Sequence, residues 1–277
     1  MRKSIVVALV LLVVGGVGMG LFSKFQRRMV FPGPEGVTPS LLHRYAAEVG
    51  ARELEIRTDD GESLYGWHRP ALRGPGSRAV LYFHGNASSV LGQLDLQRRL
   101  NEEGWDFVEI HYRGYPGSTG VSSEAGVQRD AMATWRWVIV EAGVPAERVV
   151  IHGRSLGGGV AAWLGSEVKP GGVVLESTFT SVVDLAREQF GGLPLGPLLE
   201  HRFMTHELGD RVRAPVLVVH GSADSLIDVQ HGKRLAEIFK AAYIEAPRVD
   251  HNEVLLEGTF ADRYVAFLES VVPAEAR

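Results

Sequence analysis

The chain has 277 residues, a formal net charge of −4 and no cysteine. Its hydrophobic content of 45% and charged content of 22% are ordinary for a globular protein, which excludes disordered and fibrous classes. The absence of cysteine excludes a disulfide scaffold, a thiolate metal site and a cysteine nucleophile.

The first feature along the chain is Ile5–Phe22, an 18-residue run without a charged side chain. A helix of that length spans about 27 Å, which is close to the hydrocarbon thickness of a bilayer. We therefore predict that residues 1–28 form a signal anchor with basic flanks and one transmembrane helix, the catalytic domain being exported. A cleaved signal peptide, ending near the small residues 16–20, is the alternative, and it would give a secreted protein.

Charge is distributed unevenly between this segment and the rest of the chain. Residues 1–28 hold five basic residues and no acidic residue, so the remainder is more acidic than the total of −4 suggests. An acidic domain is poorly suited to phosphate backbones, and we expect no nucleic-acid partner.

Residues 29–277 are predicted to form one domain. After a connector with a short helix near 39–48, two β-rich runs flank Asp59-Asp60-Gly61, which is typical of a hairpin. Six further apolar runs predict strands at 79–83, 107–111, 149–152, 172–176, 215–220 and 241–245. Amphipathic stretches at 91–103, 127–142, 155–167, 228–239 and 258–271 predict helices between and after them. This alternation indicates an α/β fold with an eight-stranded, mostly parallel sheet and helices on both faces.

The motif Gly153-Arg154-Ser155-Leu156-Gly157 directly follows a predicted strand and opens a predicted helix. This is the context of a nucleophile elbow, in which a strained turn exposes a serine and glycines flank it because side chains would collide. A glycine-rich turn with a capping serine is the alternative interpretation. The motif predicts that Ser155 is a nucleophile, with Gly153 and Gly157 forming the elbow.

A serine nucleophile needs a base and an acid that orients the base. In α/β folds with a nucleophile elbow, the three residues follow one another along the chain as serine, acid and histidine. This order points to Asp224 after the seventh strand and His251 after the eighth. Asp228, Asp250 and Glu176 are competing acids. Asp228 fits a helix cap better, Asp250 should point away from the neighbouring histidine ring, and Glu176 ends the sixth strand.

Two backbone N–H groups should stabilise the tetrahedral intermediate. Leu156 supplies one because it follows the nucleophile, and Asn86, in the loop after the third strand, supplies the other. His84, His152 and His220 each precede a glycine at a strand end, and we interpret them as turn residues. No metal-binding motif is present, and we expect neither a metal nor a cofactor.

These residues together resemble α/β-hydrolase-fold serine hydrolases, in particular the membrane-anchored ABHD/Bem-type branch, often labelled serine-aminopeptidase-like. The resemblance covers about residues 25–270 and rests on Y-F-H-G-N-A at 82–87, Y-R-G-Y-P-G-S-T-G at 112–120, the elbow, E-S-T-F-T-S at 176–181, residues 220–224 and His251-Asn252. It implies a Ser155–Asp224–His251 triad with Asn86 and Leu156 in the oxyanion hole. Pro116 and Asp228 depart from the family pattern, which usually has glycine and proline there.

The segment 184–211 lies where this fold inserts a lid, and its apolar residues suggest a wall for an acyl chain. A plain packing excursion is the alternative. We predict a hydrolase of carboxylic esters or thioesters, acting on a small or lipid-like acyl substrate. A peptidase or amidase with the same triad, and a non-catalytic binding protein on the same fold, are the two alternatives. The sequence leaves the oligomeric state open.

Overall fold

The computed structural model describes residues 20–255 and 258–274. Most of the predicted anchor, residues 5–19, therefore lies outside the described residues. Within the described ranges, no helix has both the length and the hydrophobicity required to cross a bilayer. Residues 20–30 are helical and are called α1 here.

Within the described residues, eight strands form one sheet in the order β1-β2-β4-β3-β5-β6-β7-β8. β1 pairs with β2 and β2 with β4 in antiparallel register, and all other pairs are parallel. The sheet therefore is mostly parallel, as predicted. The strands are β1 Arg52–Arg57, β2 Ser63–Arg69, β3 Ala79–Phe83, β4 Asp106–Ile110, β5 Val149–Arg154, β6 Gly172–Glu176, β7 Val216–Gly221 and β8 Ala242–Ala246.

Successive residues of a strand point to opposite faces of the sheet, and apolar side chains lie on both faces here. Helices therefore cover both faces. Leu81, Ile151 and Val218 pack on one face in a cluster that includes α5 side chains, whereas Val80 and Val150 pack on the other face with α3 and α8. The helices after α1 are α2 Pro39–Val49, α3 Leu94–Glu102, α4 Glu124–Val140, α5 Leu156–Glu167, α6 Val182–Gln189, α7 Val229–Ile238 and α8 Gly258–Val271.

Local sequence explains where several helices begin. The Ser123 hydroxyl accepts a hydrogen bond from Gly126 N at 3.1 Å and caps α4, and the Asp228 carboxylate accepts from Gln230 N at 2.8 Å and caps α7. Asp228 is thus the helix cap that its sequence position predicted.

The structure departs from the sequence interpretation in two places. Helix α6 overlaps the start of the predicted lid, where no helix was expected, and it begins after Ser181, whose hydroxyl accepts a hydrogen bond from Asp184 N. Its eight residues cover only about two turns, which is too short for a clear 3.6-residue period. The connector predicted at the start of the domain, from residue 29, begins later than expected, because α1 continues to residue 30.

Candidate active site

Ser155 occupies a strained turn between β5 and α5. Its backbone torsions are φ 53° and ψ −119°, which lie in a region that a residue with a side chain rarely adopts. A Cβ atom on Gly153 would lie 2.0 Å from the Gly157 carbonyl oxygen, and one on Gly157 would lie 1.9 Å from the Phe83 carbonyl oxygen. The glycines at both ends of the motif are therefore required by backbone contact, which is the physical reason for the G-x-S-x-G spacing.

Two hydrogen bonds between the backbone of Ser155 and neighbouring residues hold it in this conformation. Its N–H donates to the Glu176 carbonyl at 2.9 Å, and the Thr178 hydroxyl donates to the Ser155 carbonyl at 2.6 Å. The residue is 8% exposed, and its side-chain hydroxyl has no hydrogen-bond partner among the described residues. The serine side chain is thus left available while its backbone is fixed.

His251 and Asp224 are brought together from the loops after β8 and β7. His251 Nδ1 lies 2.7 Å from Asp224 Oδ2, and the Asp224 side chain is fully buried. Its other oxygen, Oδ1, accepts hydrogen bonds from Leu226 N at 2.9 Å and Ile227 N at 2.8 Å. Burial by itself would raise the pKa of Asp224, but hydrogen bonds from His220 and His251 outweigh it and hold that pKa well below its ordinary value. The carboxylate therefore stays ionised at neutral pH.

His220 is the neighbour of this carboxylate that the sequence reasoning missed. Its Nε2 lies 3.2 Å from Asp224 Oδ2 and 2.9 Å from the Ile227 carbonyl oxygen, and its side chain is fully buried. The interpretation of the three His-Gly pairs as turns is therefore incomplete. The spacing of four residues between His220 and Asp224, across the turn after β7, is the signal that would have identified it.

The competing acids are engaged elsewhere. Asp250 Oδ1 accepts from Ser225 N at 2.8 Å and from the backbone N–H of His251 at 2.7 Å, so it does not face the imidazole nitrogens. The Glu176 carboxylate lies 3.0 Å from His152 Nε2, inside the sheet. Among the acids considered, Asp224 is the one bonded to the His251 ring.

The predicted oxyanion residues lie at two adjoining elements. Leu156 is the first residue of α5, directly after Ser155. Asn86 is exposed in the loop after β3, and in this loop a Cβ atom on Gly85 would lie 3.2 Å from Ser155 Cβ. The loop therefore lies against the nucleophile elbow, and the assignment of the two N–H donors stays a prediction.

A side-chain hydrogen bond joins the nucleophile elbow to the loop that carries His251. Arg154, which precedes Ser155, donates from Nη2 to Asn252 Oδ1 at 2.8 Å, and Asn252 follows His251. Burial would lower the pKa of Arg154, but Tyr82 and the buried carboxyl groups of Glu176 and Glu109 raise it above its ordinary value. The guanidinium that binds Asn252 is therefore charged at neutral pH.

The lid segment turns its apolar residues in two directions. Phe190, Leu193 and Leu198 are exposed, whereas Phe203 is buried and lies 6.3 Å from the Phe179 ring, measured between centroids. Only part of the segment therefore has the inward orientation that a wall for an acyl chain requires.

Among the described residues, no group of three histidine or acidic side chains could hold a metal ion.

No family model matches the chain. It is 35% identical over 260 residues to the Mycobacterium tuberculosis protein Rv2307c, covering 93% of this chain and 91% of that protein. It is 27% identical to protein bem46 of Schizosaccharomyces pombe, covering 87% and 84%, and 27% identical to the α/β hydrolase domain-containing protein WAV2 of Arabidopsis thaliana, covering 94% and 92%.

Solved structures share the fold at lower identity. An α/β hydrolase from Vibrio vulnificus superimposes with a TM-score of 0.71 at 20% identity, covering 88% of this chain and 92% of that one. The Pyrococcus furiosus esterase Pf2001 gives 0.67 at 18% identity, covering 87% and 98%. With the strand order, the elbow and these relatives together, the chain belongs to the ABHD/Bem46-type proteins of the α/β-hydrolase fold.

Proposed function

We propose that the protein is a serine hydrolase that cleaves carboxylic esters or thioesters through an acyl-enzyme intermediate. The observation that carries this proposal is the 2.7 Å hydrogen bond between His251 Nδ1 and Asp224 Oδ2, on the fold that holds Ser155 in a strained elbow. A carboxylate on Nδ1 fixes the tautomer in which Nε2 is free to accept a proton.

The reaction has two halves. In the first, the Ser155 hydroxyl attacks the substrate carbonyl carbon, His251 Nε2 takes the hydroxyl proton and Asp224 stabilises the resulting imidazolium. The N–H groups of Asn86 and Leu156 bind the negative oxygen, and His251 then protonates the departing alcohol or thiol as its bond to the carbonyl carbon breaks. In the second half, water attacks the acyl-serine by the same proton transfers and releases the carboxylic acid and free Ser155.

Esters and thioesters are favoured over peptides as substrates because one structural neighbour is an esterase and the lid offers buried apolar side chains such as Phe203. The N-terminal run supports a further proposal, that the domain is anchored to a membrane by Ile5–Phe22 and exported. Sequencing the N-terminus of the mature protein distinguishes this anchor from a cleaved signal peptide.

Stopped-flow kinetics with a p-nitrophenyl ester test the function. An acyl-enzyme route predicts a burst of p-nitrophenol equal to the enzyme concentration, followed by slower turnover. Ser155→Ala should remove the burst and lower turnover by several orders of magnitude, because the other groups stabilise charge but supply no nucleophile. An aminoacyl p-nitroanilide cleaved with the higher kcat/KM would instead favour the peptidase alternative, and full activity in Ser155→Ala would contradict the proposal.

A further inference from the structure

Helix α1 carries an exposed apolar stripe. Leu21, Phe22, Phe25 and Met29 are 43–63% exposed. At roughly 100° of rotation per residue, these four positions fall within about 100° of one another around the helix axis. A helix in water normally turns such a stripe towards a core, so this one lacks its partner among the described residues.

The side of α1 that adjoins this stripe is docked on the lid. Gln26 is 6% exposed, and its amide donates to the Leu198 carbonyl at 3.0 Å and accepts from Glu200 N at 3.0 Å. The Ser23 hydroxyl donates to the Glu200 carboxylate at 2.8 Å. These bonds place Leu198, which is 59% exposed, directly beside the helix. We call Leu21, Phe22, Phe25, Met29 and Leu198 together the α1–lid face.

The α1–lid face adjoins the candidate active site. Phe31, just after α1, packs on the lid residue Phe203 with ring centroids 6.0 Å apart, and a Cβ atom on Gly159 of α5 would lie 3.0 Å from Phe203. The Pro32 carbonyl accepts from Ala87 N at 2.8 Å, one residue after Asn86. The chain that leaves α1 therefore contacts both the loop after β3 and the helix that begins at the elbow.

Two properties of the chain identify the occupant of this face. Leu21 and Phe22 are the last residues of the charge-free run Ile5–Phe22, so the face continues a segment long enough to cross a bilayer. Lys24 and Arg28 are exposed beside the stripe, and no acidic residue precedes Glu35. Basic side chains beside an exposed apolar stripe match anionic lipid headgroups above acyl chains, whereas a symmetric second copy would bring like charges together.

We propose that the α1–lid face lies in the interface of a lipid bilayer containing anionic lipids, so that the lid rests on the membrane beside the site. The contact of the α1–lid face with the bilayer is argued only from the exposure, hydrogen bonds and charge of its residues. Its consequence for catalysis, that acyl substrates enter from the membrane side, rests on the proposed function.

The chain has no cysteine, so single labels can report which side faces lipid. Phe25→Cys and Leu198→Cys probe the face, and Leu72→Cys and Val140→Cys, each 72% exposed, are the matched controls. The full-length variants, labelled with bimane, are reconstituted in vesicles of equal parts phosphatidylcholine and phosphatidylglycerol.

A nitroxide lipid should quench the labels at 25 and 198 at least about threefold more than those at 72 and 140, and aqueous iodide should show the reverse order. Equal quenching at all four sites would overturn the proposal. Protection of 25 and 198 from both quenchers would also overturn it, because a protein surface would then cover the face.

An activity comparison addresses the catalytic consequence separately. Phe25→Asp should lower hydrolysis of esters embedded in vesicles by about tenfold and leave hydrolysis of a soluble short-chain ester within about twofold, while Val140→Asp changes neither. Equal vesicle activity in both variants would overturn membrane-side entry. A wild-type chain without any hydrolysis would refute the proposed function, and the quenching result would still decide the docking.

Discussion

Asp224→Asn changes one atom of the carboxylate, and the structure indicates which one. Oδ1 accepts from the backbone N–H groups of Leu226 and Ile227, so the single oxygen of an asparagine must remain there. The amide NH₂ then takes the place of Oδ2, 2.7 Å from His251 Nδ1. A donor facing Nδ1 forces the imidazole proton onto Nε2, and the ring can no longer accept the proton of Ser155.

The expected loss of activity follows from the free-energy cost of restoring the active imidazole tautomer in this variant. To restore the active tautomer, the amide must flip and leave two backbone N–H groups facing an NH₂ group. Each unsatisfied donor costs about 1–3 kcal/mol, so the pair costs about 2–6 kcal/mol, which corresponds to a loss of about 30-fold to about 10⁴-fold in kcat.

The assay is steady-state hydrolysis of a soluble ester, with Asp250→Asn and Asp228→Asn as matched controls. An asparagine at 250 keeps the oxygen that accepts from Ser225 and from the His251 backbone, so activity should change only a few-fold. An asparagine at 228 still caps α7, and stability should fall by at most about 1 kcal/mol. If Asp224→Asn keeps most of its activity while either control loses more, the assignment of the acid is wrong.

Three further outcomes are expected. Gly153→Ala should abolish activity or prevent folding, because its Cβ atom meets a carbonyl at 2.0 Å, whereas Gly33→Ala, with nothing within 4 Å, should match the wild type by circular dichroism and ester hydrolysis. Asn252→Ala should lower kcat about tenfold with little change in KM, because it removes the bond from Arg154 that holds the histidine loop; an unchanged kcat would exclude that role. Burial lowers the pKa of His111 from 6.5 to about 4, so between these pH values the unfolded chain binds a proton at this residue and the folded chain does not. The free energy of unfolding therefore decreases as pH falls below 6.5. Urea unfolding at pH 7 and pH 5 should show that His111→Gln loses less stability on acidification than the wild type, by about 2 kcal/mol over this interval, because the slope of about 1.4 kcal/mol per pH unit applies only below pH 6.5. Equal losses in the two proteins would contradict this.

The sheet was predictable because its strands are short apolar runs separated by turn residues. β3 and β6 have the predicted bounds, and the helix at 258–271 also agrees with its prediction. A strand buried on both faces is mostly apolar, as the five buried residues of β3 are, and a single sequence displays that pattern. The elbow was predictable for a similar reason, since its glycines are demanded by backbone contacts.

Side-chain partnerships between distant loops were not predictable from the sequence. The contact of His220 with Asp224 differs from these, because the two residues are only four positions apart across one turn, and that spacing was an available signal. The Arg154–Asn252 bond joins residues 98 positions apart, and the docking of Gln26 on the lid joins residues more than 170 apart. Helix α6 was missed because two turns give too little periodicity to separate it from a loop.

The activation of Ser155 is the central claim, and a fluorophosphonate probe tests it directly. Such a probe forms a covalent bond with a serine whose proton is removed by a neighbouring base, and ordinary surface serines react far more slowly. Intact mass measurement should show one adduct per full-length chain, peptide mapping should locate it on Ser155, and His251→Ala should slow its formation by orders of magnitude. No adduct, or an adduct that persists in Ser155→Ala, would contradict the account.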